Sequence, residues 1–153
     1  MFMNRFHLKY VAAIVMLVFI DQYSKHLVSA MMRVGESISL LPSLGLLHTH
    51  NTGIAFSLLS GVSGLGAISL LATMYFCYLL NQTAYQHLNW ALVCLIAGSL
   101  GNGIDRILMG YVIDFIHLYY GSWHFAVFNF ADVFVCLGVC LWLIKDFSVA
   151  KVR

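Results

Sequence analysis

"GVSGLGAISLLATMYFCYLL", residues 61–80, runs for twenty positions without a charged side chain. About 20 predominantly apolar residues cross the hydrocarbon core of a bilayer as a helix, so this stretch predicts a transmembrane span. Three further segments share the property: about 8–28, with "YVAAIVMLVFI" at its centre, about 88–108 and about 128–144. The pattern holds no series of short alternating strands of the kind that builds a membrane barrel. The reading is an all-α integral membrane protein with four transmembrane helices, organised as a single membrane domain over residues 1–153. Composition agrees. The chain is 61% hydrophobic and 9% charged, with a mean hydropathy of +0.88, whereas a soluble domain carries about 25% charged residues. A net charge of +2, with no basic patch interleaved with aromatics, gives no basis for a nucleic-acid partner.

The remaining segments follow from these four. "MFMNRFHLKY" is basic and precedes an apolar run, as in a signal peptide, and Val28-Ser29-Ala30 resembles a cleavage site. Asp21 and Lys25 interrupt the path to that site, so the expectation is a retained helix. Four spans place both termini on one side. Arg5, Lys9, Lys145, Lys151 and Arg153 lie there, against Lys25, Arg33 and Arg106 on the other, which favours cytoplasmic termini. Residues 31–59, with Gly35, Pro42 and Gly45, are too polar and broken to span. They are expected to form a small extracytoplasmic cap with some β-structure and an amphipathic piece at the membrane surface.

With that topology the polar residues converge. Asp21 and Lys25 fall at the outer end of the first helix, and Asp105 and Arg106 at that of the third. Asp114 follows in the outer loop, and Asp132 lies at the outer start of the fourth helix. Charges within membrane helices are costly and normally face the bundle interior, where they mark function. Asp21 and Lys25 are four apart, Asn102 precedes Asp105 and Arg106 by three and four, and Asn129 precedes Asp132 by three. Such offsets share a helix face, so ion pairs that merely join helices would account for the first two groups. Asp114 and Asp132 differ, because no Lys or Arg lies between Arg106 and Lys145 to neutralise them.

On one continuous helix those two aspartates would stand about 27 Å apart at 1.5 Å per residue. They meet only if the chain reverses between them, and Gly121-Ser122 supplies a turn. Two carboxylates held close in a poorly hydrated site share one proton and titrate as a unit. Such a pair suits water activation with polarisation of a carbonyl. It suits equally a proton- or ion-relay in a small transport subunit, or a purely structural contact. Relay acids more often sit at mid-bilayer within internal repeats, and neither is visible. Cys77, Cys94, Cys136 and Cys140 all fall in spans and read as small hydrophobes, with neither a disulfide framework nor a zinc box. His48, His50, His117 and His124 read as loop histidines without metal-ligand spacing, so no metal and no cofactor is expected.

"DQYSK" (21–25), "NTGIAFS" (51–57), "GNGIDR" (101–106) with "VIDF" (112–115), and "FNFAD" (128–132) together resemble the signature boxes of the lipoprotein signal peptidases, signal peptidase II. The resemblance spans nearly the whole chain in length, helix plan and box order. It implies a membrane aspartic endopeptidase of the bacterial cytoplasmic (inner) membrane that removes the signal peptide from prolipoproteins, cutting just before a diacylglyceryl-modified cysteine. Residue by residue, it implies catalysis by Asp114 and Asp132. Substrate-binding or site-supporting roles fall to Asp21, Lys25, Asn51, Gly53, Asn102, Asp105, Arg106 and Asn129. The implied partners are the lipid-modified substrate and membrane lipids, with the enzyme a monomer and its site near the extracytoplasmic face. Ala126 stands where the family commonly has proline, and Ile54 where alanine is frequent; neither change removes a polar group.

Overall fold

A computed structural model of the chain describes residues 5–53 and 64–150. It holds four helices and a four-stranded antiparallel sheet. Helix α1 runs Arg5–Met31, α2 Leu65–Leu80, α3 Asn89–Met109 and α4 Phe130–Ala150. A 3₁₀ turn over Thr83–Leu88 joins α2 to α3. Each expected span has its helix, with ends shifted by a few residues; positions 61–63 of the second lie outside the described residues. Two helical stretches, Leu8–Met31 and Ala84–Met109, are long and apolar enough to cross a membrane by length and composition, and α2 is a shorter apolar helix. Helix α3 packs against each of the other three. Its side chains Leu92 and Ala97 are fully enclosed, while α1 and α2 turn large apolar residues such as Phe19, Leu71 and Met74 outward. An apolar exterior around a close-packed centre is what a lipid environment permits.

The sheet is larger than expected. Strands β1 (Ser37–Leu41) and β2 (Leu44–Asn51) fall within the anticipated cap, whose positions 54–59 lie outside the described residues. Strand β3 (Val112–Tyr120) and the short β4 (Trp123–His124) occupy what the sequence reading treats as plain loop. Asp114, His48, His50 and His117 are therefore strand residues. The reason is visible in "VIDFIHLYY": β-branched and aromatic residues dominate it, and its first four residues are buried, so apolar content alone reads as membrane-like. The strand order is β1-β2-β3-β4. Thr49 pairs with Asp114 and Asn51 with Val112.

Two glycines set the path. Gly110 ends α3 in the left-handed region at φ 80°, its N–H donating to the Arg106 carbonyl, a C-terminal cap that lacks a Cβ penalty. Gly121, at φ 59°, reverses the chain between β3 and β4. The expected turn is there, and it carries residues 125–128 back along β3, where the Phe128 carbonyl accepts the N–H groups of Phe115 and Ile116 at 3.0 and 2.7 Å.

Candidate active site

Helix α4 begins beside β3 through a reciprocal cap. Asn129 Oδ1 accepts the Asp132 N–H at 3.0 Å, and Asp132 Oδ2 accepts the Asn129 N–H at 3.1 Å. This is the geometry of a capping box, with Asn and Asp in place of Ser/Thr and Glu. Asn129 therefore precedes the helix rather than sharing a helical face with Asp132, as its spacing suggests. A second acid serves the same end: Asp21 Oδ1, reaching across from α1, accepts the Ala131 N–H at 2.8 Å. Both carboxylates lie where the dipole of α4 favours negative charge.

Asn129 then reaches the other aspartate. Its Nδ2 donates to Asp114 Oδ1 at 2.6 Å, while Asn51 Nδ2, from the end of β2, donates to Asp114 Oδ2 at 2.9 Å. From α3, Asn102 Nδ2 donates to Asp132 Oδ1 at 2.8 Å. No amide here is free to turn over. Asn51 Oδ1 is held by the Gly53 N–H at 2.9 Å, Asn129 Oδ1 by the Asp132 N–H, and Asn102 Oδ1 by the Lys25 ammonium at 3.0 Å. Each oxygen faces a group that can only donate, so each NH₂ must face an aspartate. Burial pushes the Asp114 carboxyl up to about 6. The Asn51 amide opposes that rise, the nearby Asp132 adds to it, and the Asn129 amide and Lys25 charge oppose it again.

Behind this pair lies a buried ion cluster. Lys25 Nζ sits 2.7 Å from Asp21 Oδ2 and 2.8 Å from Asp105 Oδ2, with all three side chains at most 2% exposed. Asp105 thus pairs with Lys25 and not with its neighbour Arg106. Arg106 turns the other way: Nη2 donates to the Gly53 carbonyl at 2.8 Å, and Nη1 to Ser69 Oγ on α2 at 3.3 Å. Its Nε is buried without a hydrogen-bond partner among the described residues. Every candidate residue from the sequence reading therefore lies in or against one polar cluster. Gln22 escaped that reading, although it lies inside "DQYSK"; its Nε2 reaches Asp105 Oδ1 at 2.8 Å and the Gly101 carbonyl at 3.1 Å. Ser69 escaped too, because one serine in an apolar helix normally bonds only its own backbone.

The cluster opens onto a cavity of about 610 Å³. Asn51, Asn102, Arg106, Asp114 and Asp132 supply its polar wall, and Ile68, Ala72, Val133 and Val135 its apolar one. Cys136 also lines it; the cysteines are free thiols.

The fold is shared with bacterial membrane enzymes. One, solved by the in meso method at 2.3 Å resolution, superposes with a TM-score of 0.86 at 28% identity, covering 95% of this chain and 91% of that one. A second, at 1.9 Å resolution, gives 0.77 at 31% identity over 89% and 90%. Residues 13–148 match the family model described as signal peptidase (SPase) II, and the chain belongs to that peptidase family. Lipoprotein signal peptidases of Brucella ovis and Brucella melitensis are each 40% identical to it over 138 residues, 88% of this chain and 86% of theirs.

Proposed function

We propose that the chain is an aspartic endopeptidase that removes the signal peptide from diacylglyceryl-modified prolipoproteins, cutting before the lipidated cysteine. The observation that carries the reading is the wiring of Asp114 and Asp132 into one hydrogen-bonded unit at the wall of an apolar cavity. The names of the Brucella relatives supply the lipoprotein. Asp132, fed by donors and seated at a helix N-terminus, takes a proton from water. Asp114, which holds its proton unusually well, donates a hydrogen bond to the scissile carbonyl. Water adds to that carbon, the tetrahedral intermediate collapses, and the leaving nitrogen carries off a proton. No covalent intermediate is required. Arg106, which lines the cavity with a buried N–H that has no partner among the described residues, would hold the substrate backbone extended.

In this reading the four helices span the inner membrane with both termini cytoplasmic, and the sheet faces outward. The enzyme works as a monomer on a substrate already anchored in lipid. A relay role for the two acids fits less well, because the cavity wall beyond the polar cluster is mostly apolar. The test is cleavage of a diacylglyceryl-modified prolipoprotein by the purified chain in detergent. Asp114→Asn and Asp132→Asn should each slow it by about 10²- to 10⁴-fold, and an unmodified precursor should not be cut. Parent-rate cleavage by either variant would sink the dyad, and no cleavage by the wild-type chain would sink the protease reading.

A further inference from the structure

Lys25 is nearly fully enclosed and points away from any solvent, yet the chemistry above gives it no part. Its ammonium has three N–H groups and no acceptor. All three are spent: on Asp21 Oδ2 at 2.7 Å, Asp105 Oδ2 at 2.8 Å and Asn102 Oδ1 at 3.0 Å. The first two contacts fix where the ammonium sits. The third decides which way the Asn102 amide faces, because an ammonium against the NH₂ end would oppose two donors.

Asn102 Oδ1 has one other donor, Asn129 Nδ2 at 3.1 Å. That amide has two hydrogens for three acceptors, the others being Asp114 Oδ1 at 2.6 Å and the Ile113 carbonyl at 3.3 Å. The shortest contact commits one hydrogen, leaving Asn102 and Ile113 to share the second. Lys25 is thus the undivided donor to Asn102. With the oxygen held, the NH₂ group has one direction left, toward Asp132 Oδ1 at 2.8 Å.

Resting on the dyad reading above, we propose that Lys25 is a positioning residue. Held by Asp21 and Asp105, it locks the Asn102 amide so that its NH₂ group orients the Asp132 carboxylate for reaction. The ion cluster therefore acts on the chemistry through one side chain and has no need to touch substrate. Asp21 ties the cluster to the same carboxylate by a second route, since its other oxygen holds the start of α4 at Ala131.

A role carried by Asn102 makes a distinctive prediction, because removing the lock and removing the locked group cannot both count. The experiment measures kcat and KM of the full chain in detergent on a diacylglyceryl-modified prolipoprotein, with thermal unfolding in parallel. The variants are Lys25→Met, Asn102→Ala and their double. Lys25→Met should lower kcat by about 10²-fold with KM changed less than about threefold, and the double should be no slower than Asn102→Ala alone within about threefold. Multiplying effects, or a loss confined to KM and Tm, would overturn the proposal. Lys25→Met strands two buried acids and is at risk of failing to fold. The same cycle is therefore run in Asp105→Asn, where Lys25→Met leaves a single acid, Asp21, with its α4 contact intact; the expected and overturning results are the same. Wild-type failure to cleave overturns the protease reading and this role with it. Wild-type cleavage with multiplying effects overturns the positioning role alone.

Discussion

At the scale of single residues, Asp114 carries the pH behaviour. Its carboxyl is 2% exposed and is pushed from the ordinary 3.8 up to about 6. Folded protein therefore binds this proton more tightly than unfolded chain. The resulting stabilisation is complete below about pH 4 and is lost as pH rises through about 6. The Tm of wild type should accordingly fall relative to that of Asp114→Asn between about pH 4 and 6.5, read by thermal unfolding in detergent; a constant difference would contradict the shift. In the proposed mechanism the same proton shapes catalysis. The profile of kcat/KM should be bell-shaped, with its alkaline limb near pH 6 for the free dyad. Asn51 donates to Asp114 and favours its charged form, so Asn51→Ala should move that limb upward. An unmoved or lowered limb would show that Asn51 does not tune the dyad. None of this is written in "VIDF" itself. The sequence marks Asp114 as an acid without a cation nearby, but its burial arises from β2 pairing over it, a contact 65 residues away in sequence at Thr49.

At the scale of elements, the junction of α3 and α4 decides the placement of Asp132. A Cβ built on Gly98 would meet the Ala131 carbonyl oxygen and lie 2.6 Å from Val135 Cγ2, and one on Gly101 would lie 2.6 Å from Asp21 Oδ2. At Gly98 the two helices touch through backbone, within one turn of the acid, while Gly101 makes room for the Asp21 carboxylate of α1. Gly138 makes the equivalent contact further along α4, 2.7 Å from Leu95 Cγ and 2.9 Å from the Ala91 carbonyl. Overpacking of this sort costs about 1–3 kcal/mol, so Gly98→Ala and Gly138→Ala should lower Tm comparably. Only Gly98→Ala should also cut kcat strongly, since it displaces the capped end that carries Asp132; equal kcat losses would mean that the junction has no special bearing on the site. The small residues of "AGSLGNG" are of the kind that let helices approach closely, and the four helices followed from apolar length. The strands β3 and β4 did not: β3 begins as a largely apolar run without strand-like alternation, and β4 is two exposed residues, too short to carry a pattern. The cap at Asn129 was likewise legible as spacing and misread as a shared face, since three residues separate both a helical neighbour pair and an N-cap from its third residue.

At the scale of the whole molecule, charge and polarity divide the bundle along its length. The sheet, the ion cluster and the dyad gather at one end, where α1 finishes, α3 finishes and α4 begins. At the other end Leu79, Leu88, Ala91 and Leu92 pack a wholly apolar core, flanked by the Lys9 ammonium 4.9 Å over the Tyr10 ring. A buried ion triad costs less near the interface than at mid-bilayer, so this segregation suits a bundle whose reaction occurs at one membrane surface. In the proposed topology, the excess of Lys and Arg at the termini turns that surface outward. Strand β1 is exposed along its whole length, and Asn81, beyond the end of α2, is exposed at the opposite end. That geometry sets the last prediction. In a chain whose native cysteines are replaced, Ser37→Cys should react with a membrane-impermeant maleimide on intact bacterial spheroplasts. Asn81→Cys should react only after the membrane is permeabilised. The reverse pattern would turn the bundle over and put the proposed dyad on the cytoplasmic side, where the proposed substrate, anchored in the outer leaflet, could not reach it.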